Sequence, residues 1–148
     1  MPTLLVVHHT PSPVMQALLE AVREGAALVE EVELVVRPAL SAGAADLLAA
    51  DGILLGTPAN IGYMSGALKH FFDTVYYPCL DATVGLPYGV YVHGNDDTAG
   101  ALTAIGKITG ALRWKQVAAP VSLVGAPGRD GLEACRELAA TVAVQLDS

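Results

Sequence analysis

The stretch Asp51-Gly52-Ile53-Leu54-Leu55-Gly56-Thr57-Pro58-Ala59-Asn60-Ile61-Gly62-Tyr63-Met64-Ser65-Gly66-Ala67-Leu68-Lys69-His70-Phe71-Phe72-Asp73 runs from a strand through a glycine-rich loop into a helix. Gly52–Gly56 is an unbroken apolar run, as a strand covered on both faces requires. Ser65 suits a helix N-cap, and Leu68, Phe71, Phe72 and Val75 fall on one face of a helix over Ser65–Tyr77. The same unit recurs on both sides. Before it come a strand at Thr3–His8, a helix at Pro13–Gly25, a strand at Glu31–Val36 and a short helix at Ser41–Ala50. Ser12 suits the first helix's N-cap, Pro13 its first position and Gly25 its end. After it come a strand at Pro87–Val92, a helix at Thr98–Leu112, a strand at Val117–Val124 and a closing helix at Arg129–Leu146. Such β–α alternation predicts an α/β fold. It is a five-stranded parallel sheet, doubly wound in the order 2-1-3-4-5, with helices on both faces and one domain over residues 1–148.

Composition agrees and excludes several classes. The chain has 148 residues, 53% hydrophobic and only 16% charged. That apolar content is enough to offset the entropy of ordering, so the chain is not disordered. Eight Lys and Arg in a chain of net charge -7 give no basic footprint for nucleic acid. The longest apolar stretch, Asp51 to Lys69, is broken by Gly52, Gly56, Pro58, Asn60, Gly62 and Gly66, so no membrane span is expected. Met1-Pro2-Thr3-Leu4 has no basic leader, so no secretory signal is expected and a cytoplasmic location is. Cys79 and Cys135 are expected as reduced thiols.

In doubly wound sheets ligands sit outside the carboxyl ends of the strands, near the switch in strand order. That rule selects three loops: His9 to Met15, Thr57 to Met64, and His93 to Thr98. The first leads into a helix N-terminus, whose free amides and dipole suit an anion, with the Thr10 and Ser12 hydroxyls as further donors. His8 and His9 are neighbours on a strand and point to opposite faces, so no metal is expected there. The second loop, shaped by Pro58 and Gly62, offers free backbone amides to a flat ring with amide-like edges. In the third, Asn95 is expected to face a ligand while Asp96 or Asp97 opens the next helix.

Thr57-Pro58, Gly62, Met64-Ser65-Gly66, Lys69, Phe71 or Phe72, and Asp73 resemble the flavin-ring loop of flavodoxin-fold NAD(P)H-dependent FMN and quinone reductases. In residues the resemblance runs from Asp51 to Asp73; in element order it covers the chain. It implies a flavodoxin-like fold and FMN as cofactor. It further implies that backbone groups of Pro58, Ala59, Asn60, Ile61 and Gly62 hold the pyrimidine edge, and that Tyr63 or Ile61 lies against the ring. Met64 and Ser65 then start the helix beneath it, and His93, Gly94 and Asn95 close the other side. His9, Thr10, Ser12, Val14 and Met15 hold the phosphate end, and Thr57 completes the cofactor-binding set. The family's phosphate loops usually read Ser/Thr-x-Ser/Thr-Gly-x-Thr. Thr10 and Ser12 match the hydroxyls, but Pro13 stands where Gly is common and Met15 where a hydroxyl is expected. Pro11 and Pro13 also lack N–H groups. A thinner phosphate cradle and reduced FMN affinity are therefore expected.

The resulting expectation is an FMN-binding oxidoreductase, passing reducing equivalents from NAD(P)H to a quinone or flavin acceptor. The cofactor carries the chemistry, and no catalytic side chain is assigned. Substrate is expected over the ring, between Tyr63 and the His93 loop. Two alternatives remain: a flavodoxin-type electron carrier, and a flavin-free interaction or regulatory module, which the thinned phosphate loop motivates. A receiver domain lacks its acidic cluster here, and no Gly-x-Gly-x-x-Gly opens the first helix of a Rossmann domain. Phe71, Phe72, Tyr76, Tyr77 and Pro78 are too many aromatic and apolar groups for one inward stripe. A homodimer or larger assembly is therefore expected near helix 65–77 and the 77–88 connection.

Overall fold

The computed structural model describes residues 1–147. Its strands are β1 (Thr3–His8), β2 (Glu33–Pro38), β3 (Gly52–Asn60), β4 (Tyr63–Met64), β5 (Pro87–Gly94), β6 (Lys115–Gln116) and β7 (Val121–Val124). Its helices are α1 (Pro13–Ala27), α2 (Ala44–Leu48), α3 (Gly66–Cys79), α4 (Ala99–Leu112) and α5 (Gly128–Asp147). The parallel sheet runs β2-β1-β3-β5, and both β6 and β7 pair with β5 at its outer edge. The expected order stands, with the fifth strand in two pieces. Val117–Val124 does not form one strand, because Pro120 has no N–H to give to the ladder.

Alternation along the strands builds two cores. Leu5, Val7, Ile53 and Leu55 face α2, α3 and α4, where Leu68, Phe71 and Phe72 are buried. Leu4, Val6, Leu54 and Tyr91 face α1 and α5. Each fully buried Leu or Phe contributes about 1.5–3 kcal/mol. Cys79 lies in the first core and Cys135 in the second, on opposite sides of the sheet, and both thiols are free. Burial pushes the Cys135 thiol up to about 11 and raises that of Cys79 as well.

Two elements differ from expectation for tertiary reasons. Gly25 does not end α1, which continues to Ala27 with Leu28 as its C-cap. A methyl group on Gly25 would lie 2.1 Å from the Arg136 carbonyl oxygen of α5. The glycine is there for close helix approach, not for a turn. β3 runs four residues beyond Gly56, to Asn60, and folds back through β4 as an antiparallel hairpin with Asn60 opposite Tyr63.

α3 is capped as expected: the Ser65 hydroxyl accepts from the Leu68 N–H at 3.2 Å. Of the aromatic group, Phe71 and Phe72 are buried, whereas Tyr77 is 82% exposed. The 77–88 connection is held by Trp114, whose Nε1–H donates to the Thr83 hydroxyl at 2.9 Å. The Thr83 hydroxyl in turn donates to the Cys79 carbonyl at 2.8 Å.

Candidate functional site

The three selected loops converge at the carboxyl ends of β1, β3 and β5. They enclose a cavity of about 260 Å³ lined by Pro11, Ser12, Val14, Pro58, Ala59, Asn60, His93, Gly94 and Asn95. It adjoins, through Ala59 and Asn95, a second cavity of about 240 Å³ that adds Ile61, Gly62, Asp96 and Asp97. No Lys or Arg lines either one. The charged side chains that line them are the carboxylates of Asp96 and Asp97, on the second cavity.

The hairpin is the best-defined wall. The Thr57 side chain is fully buried, accepts from the Ser65 N–H at 3.0 Å and donates to the Pro58 carbonyl at 2.8 Å. It ties the two legs of the hairpin together and has no free valence to offer a ligand as donor. Ile61 and Gly62 form the two-residue turn with φ of 50° and 73°. Two positive φ values are what a type I′ turn demands, and glycine meets that demand freely at position 62. Ile61 does not: a β-branched residue in this region costs roughly 1–2 kcal/mol. Its side chain is nonetheless fully exposed, on the side of the groove. The strain is thus held at an exposed apolar tip that borders the groove. Ile61→Asn is expected to raise stability by about 1 kcal/mol, or about 2–4 °C in Tm. A thermal melt no higher than the wild type's removes the strain argument.

Ile61 and Tyr63 part company on this hairpin. Ile61 lines the groove, whereas Tyr63 lines a different cavity against α4. Tyr63 is therefore not among the residues that line the groove beside the His93 loop. Met64 is buried in the core with Leu68 and Phe71.

The first loop is thin. Ser12 caps α1 by accepting from the Met15 N–H at 3.2 Å, and its carbonyl accepts from the Gln16 N–H. Pro13 has no N–H, so Val14 carries the one uncommitted amide in the first turn. Met15 is a correction: its side chain is fully buried in the core beneath α1 and its amide is already used. His9 Nδ1 is buried with no hydrogen-bond partner among the described residues.

The His8 Nδ1 and the Thr10 hydroxyl share a hydrogen bond of 2.6 Å. Burial, then the nearby Arg23 and His9 charges, lower the His8 pKa from its ordinary 6.5. The hydrogen bond ties the Thr10 hydroxyl to the His8 ring at the end of β1. The sign of the linkage follows. The unfolded imidazole takes up a proton near 6.5, and the folded one only at lower pH. Its contribution to stability is complete above 6.5 and is lost as pH falls below that value. Melting wild type and His8→Gln between pH about 7 and about 5 is expected to show the larger loss in wild type. Equal losses would exclude His8 as the cause.

In the third loop the His93 Nε2–H donates to the Gly125 carbonyl at 2.7 Å, which holds the ring against the loop after β7. The Asp97 carboxylate accepts from the Ala99 N–H at 2.9 Å and so opens α4. Asn95 is exposed and borders both cavities. Lys69, on α3, is paired with Asp73 at 2.5 Å and lies away from the groove. The strained tip at Ile61 and the approach of the hairpin to α4 were invisible to sequence reasoning. The only local signal was an Ile where a turn wants Asn or Gly.

The chain matches the family model of NADPH-dependent FMN reductases over residues 18–139. The match begins beyond the thin first loop. A flavodoxin of Aquifex aeolicus (strain VF5) is 36% identical over 72 residues, which is 49% of this chain and 39% of that protein. The match thus spans well under two thirds of that relative's length. An archaeal flavodoxin structure superposes with a TM-score of 0.83 at 18% identity, covering 99% of each chain. A flavodoxin, WrbA-like protein from Agrobacterium tumefaciens gives 0.78 at 21% identity, covering 99% of this chain and 98% of that one. These two likenesses show the fold. Among the described residues no helix is long and apolar enough to cross a membrane.

Proposed function

We propose that this chain, which belongs to the NADPH-dependent FMN reductase family, is an FMN-binding oxidoreductase that passes reducing equivalents from NAD(P)H to a quinone or flavin acceptor. The observation that carries the reading is the groove where the strained hairpin, the His93–Asn95 segment and the α1 N-terminus meet at the switch in strand order.

The residues present fit the group. Backbone groups of Asn60, Ile61 and Gly62, with Gly94 and Asn95 opposite, match the amide-like edge of an isoalloxazine. The Val14 amide with the Thr10 and Ser12 hydroxyls would hold the phosphate. Bound FMN supplies hydride and single-electron chemistry. The chain's own work is to bind, orient and exclude water. Thr57 sets the hairpin, Ile61 presents an apolar wall, and His93 is held still by Gly125.

Titration with FMN tests the reading, with flavin fluorescence as readout. Saturable quenching supports it; no change at tens of micromolar FMN overturns it and favours a flavin-free module. A second reading, an electron carrier, is favoured by Asp96 and Asp97 on the groove, which suit a basic partner. Steady NADPH oxidation by the FMN-loaded protein decides for the reductase, and negligible turnover for the carrier. For assembly, exposed Tyr77 with Val84 nearby in sequence supports a homodimer near α3. A monomeric mass at micromolar concentration removes that proposal.

A further inference from the structure

A further cavity lies on the far side of the hairpin from the groove. It measures about 550 Å³ and is bounded by Tyr63 and Lys69 on one side and by α4 on the other. Its volume is in the range of sites for small organic ligands. The α4 wall is made of Gly100, Ala104 and Ile108, spaced four residues apart and therefore on one stripe of the helix. The Cβ direction of Gly100 is closed by the Gly62 carbonyl of the hairpin, so the open apolar floor is Ala104, which projects nothing past Cβ, and Ile108.

Charge is placed as deliberately as the floor. Lys107 is the only charged residue of α4, and it borders the cavity. Among the described residues it has no ion-pair partner. Lys69 borders the cavity from α3, partly neutralised by Asp73. In a chain of net charge -7, two of its eight basic residues face one apolar cavity, and no acidic residue lines it. The first amide of α4 is taken by Asp97, and the cations on the cavity are Lys107 and Lys69.

We propose that this cavity binds a small aromatic anion: a flat apolar body against Ala104 and Ile108, with its carboxylate, sulfonate or phosphate at Lys107 and Lys69. The site is distinct from the FMN groove and does not depend on it. Two sources share this chemistry, an adenosine phosphate and an aromatic acid without a nucleoside.

Calorimetric titration with adenosine 2′,5′-bisphosphate and, separately, with naphthalene-2-sulfonate distinguishes them. Binding of either probe is expected at submillimolar Kd and to weaken with added salt. Lys107→Ala is expected to weaken it about tenfold, as loss of one charge-assisted contact does, and Lys107→Arg to retain most of it. Thr103→Trp, an exposed position on the cavity wall, is expected to abolish it by filling the space. Thermal melts of the three variants are expected to match the wild type. FMN titration of the same proteins separates the two readings. If FMN binds and neither probe does, or if the probes bind equally to wild type, Lys107→Ala and Thr103→Trp, the cavity proposal is overturned and the FMN reading stands. If a probe binds with Lys107 dependence while FMN does not, the cavity proposal stands alone.

Discussion

Gly100→Ala is expected to weaken FMN binding at least about tenfold, or about 1.4 kcal/mol, while the protein still folds. A methyl group at this position would lie 1.9 Å from the Gly62 carbonyl oxygen and 2.7 Å from its carbon. Both are backbone atoms of the hairpin turn, so no side-chain rotation relieves the clash. Within α4 itself the change is favourable, since alanine is a better helix former than glycine by about 0.8–1 kcal/mol. The hairpin is the weaker partner: it is two residues wide at β4, and its tip is already strained at Ile61. It must move outward, and Asn60 to Gly62 move with it. The measurement is an FMN titration beside a thermal melt. A large rise in Kd with a nearly unchanged Tm is the expected pair of results. An unchanged Kd would show that the position of the hairpin does not set flavin binding.

Gly25→Ala is the converse case, in which stability falls. Here the added methyl would sit 2.1 Å from the Arg136 carbonyl oxygen, 2.8 Å from its carbon and 2.9 Å from its Cα. α1 and α5 are packed against each other over one core, with Ala21, Val22, Cys135 and Ala139 buried there. Forcing them apart costs on the order of 3 kcal/mol, at the upper end for overpacking. The helix-propensity gain offsets about 1 kcal/mol of this. The net loss is about 2 kcal/mol, a fall of about 4–8 °C in Tm. A variant that melts at or above the wild-type temperature would mean that the close approach is not needed. The groove lies at the other end of α1, so FMN affinity is expected to be nearly unchanged in Gly25→Ala.

These two glycines show where sequence reading stops. Gly25 reads as a helix terminator, and nothing in the local sequence gives Gly100 a role. Each is explained only by backbone from another element: α5 in one case, the hairpin in the other. Pro120 is the opposite kind of residue. Its missing N–H is a local property, and the edge strand is interrupted between Gln116 and Val121, where Pro120 lies. Met15 and Thr57 were placed at the ligand by their positions in the motif. Met15 is instead drawn into the core beneath α1, and Thr57 spends its hydroxyl on Ser65 and Pro58. Motif position specifies where the backbone passes and not which way a side chain turns.

What local chemistry settles in this chain is therefore definite. Apolar runs at Thr3–His8 and Gly52–Gly56 must be strands buried on both faces, because water would otherwise meet unbroken hydrocarbon. Ser12 and Ser65 must begin helices, because each can satisfy an orphan amide within its own turn. The alternation of such units dictates the sheet order, and the sheet order dictates the mouth. The family was legible from Asp51 to Asp73 for the same reason: strand, turn and cap are all short-range. Packing alone decided the rest: that Ile61 and not Tyr63 faces the groove, that Tyr63 joins Lys69 and Lys107 around a second cavity, and that Gly25 and Gly100 are points of contact. Those outcomes depend on which element arrives opposite a residue, and residues far apart in the chain share no local signal that records it.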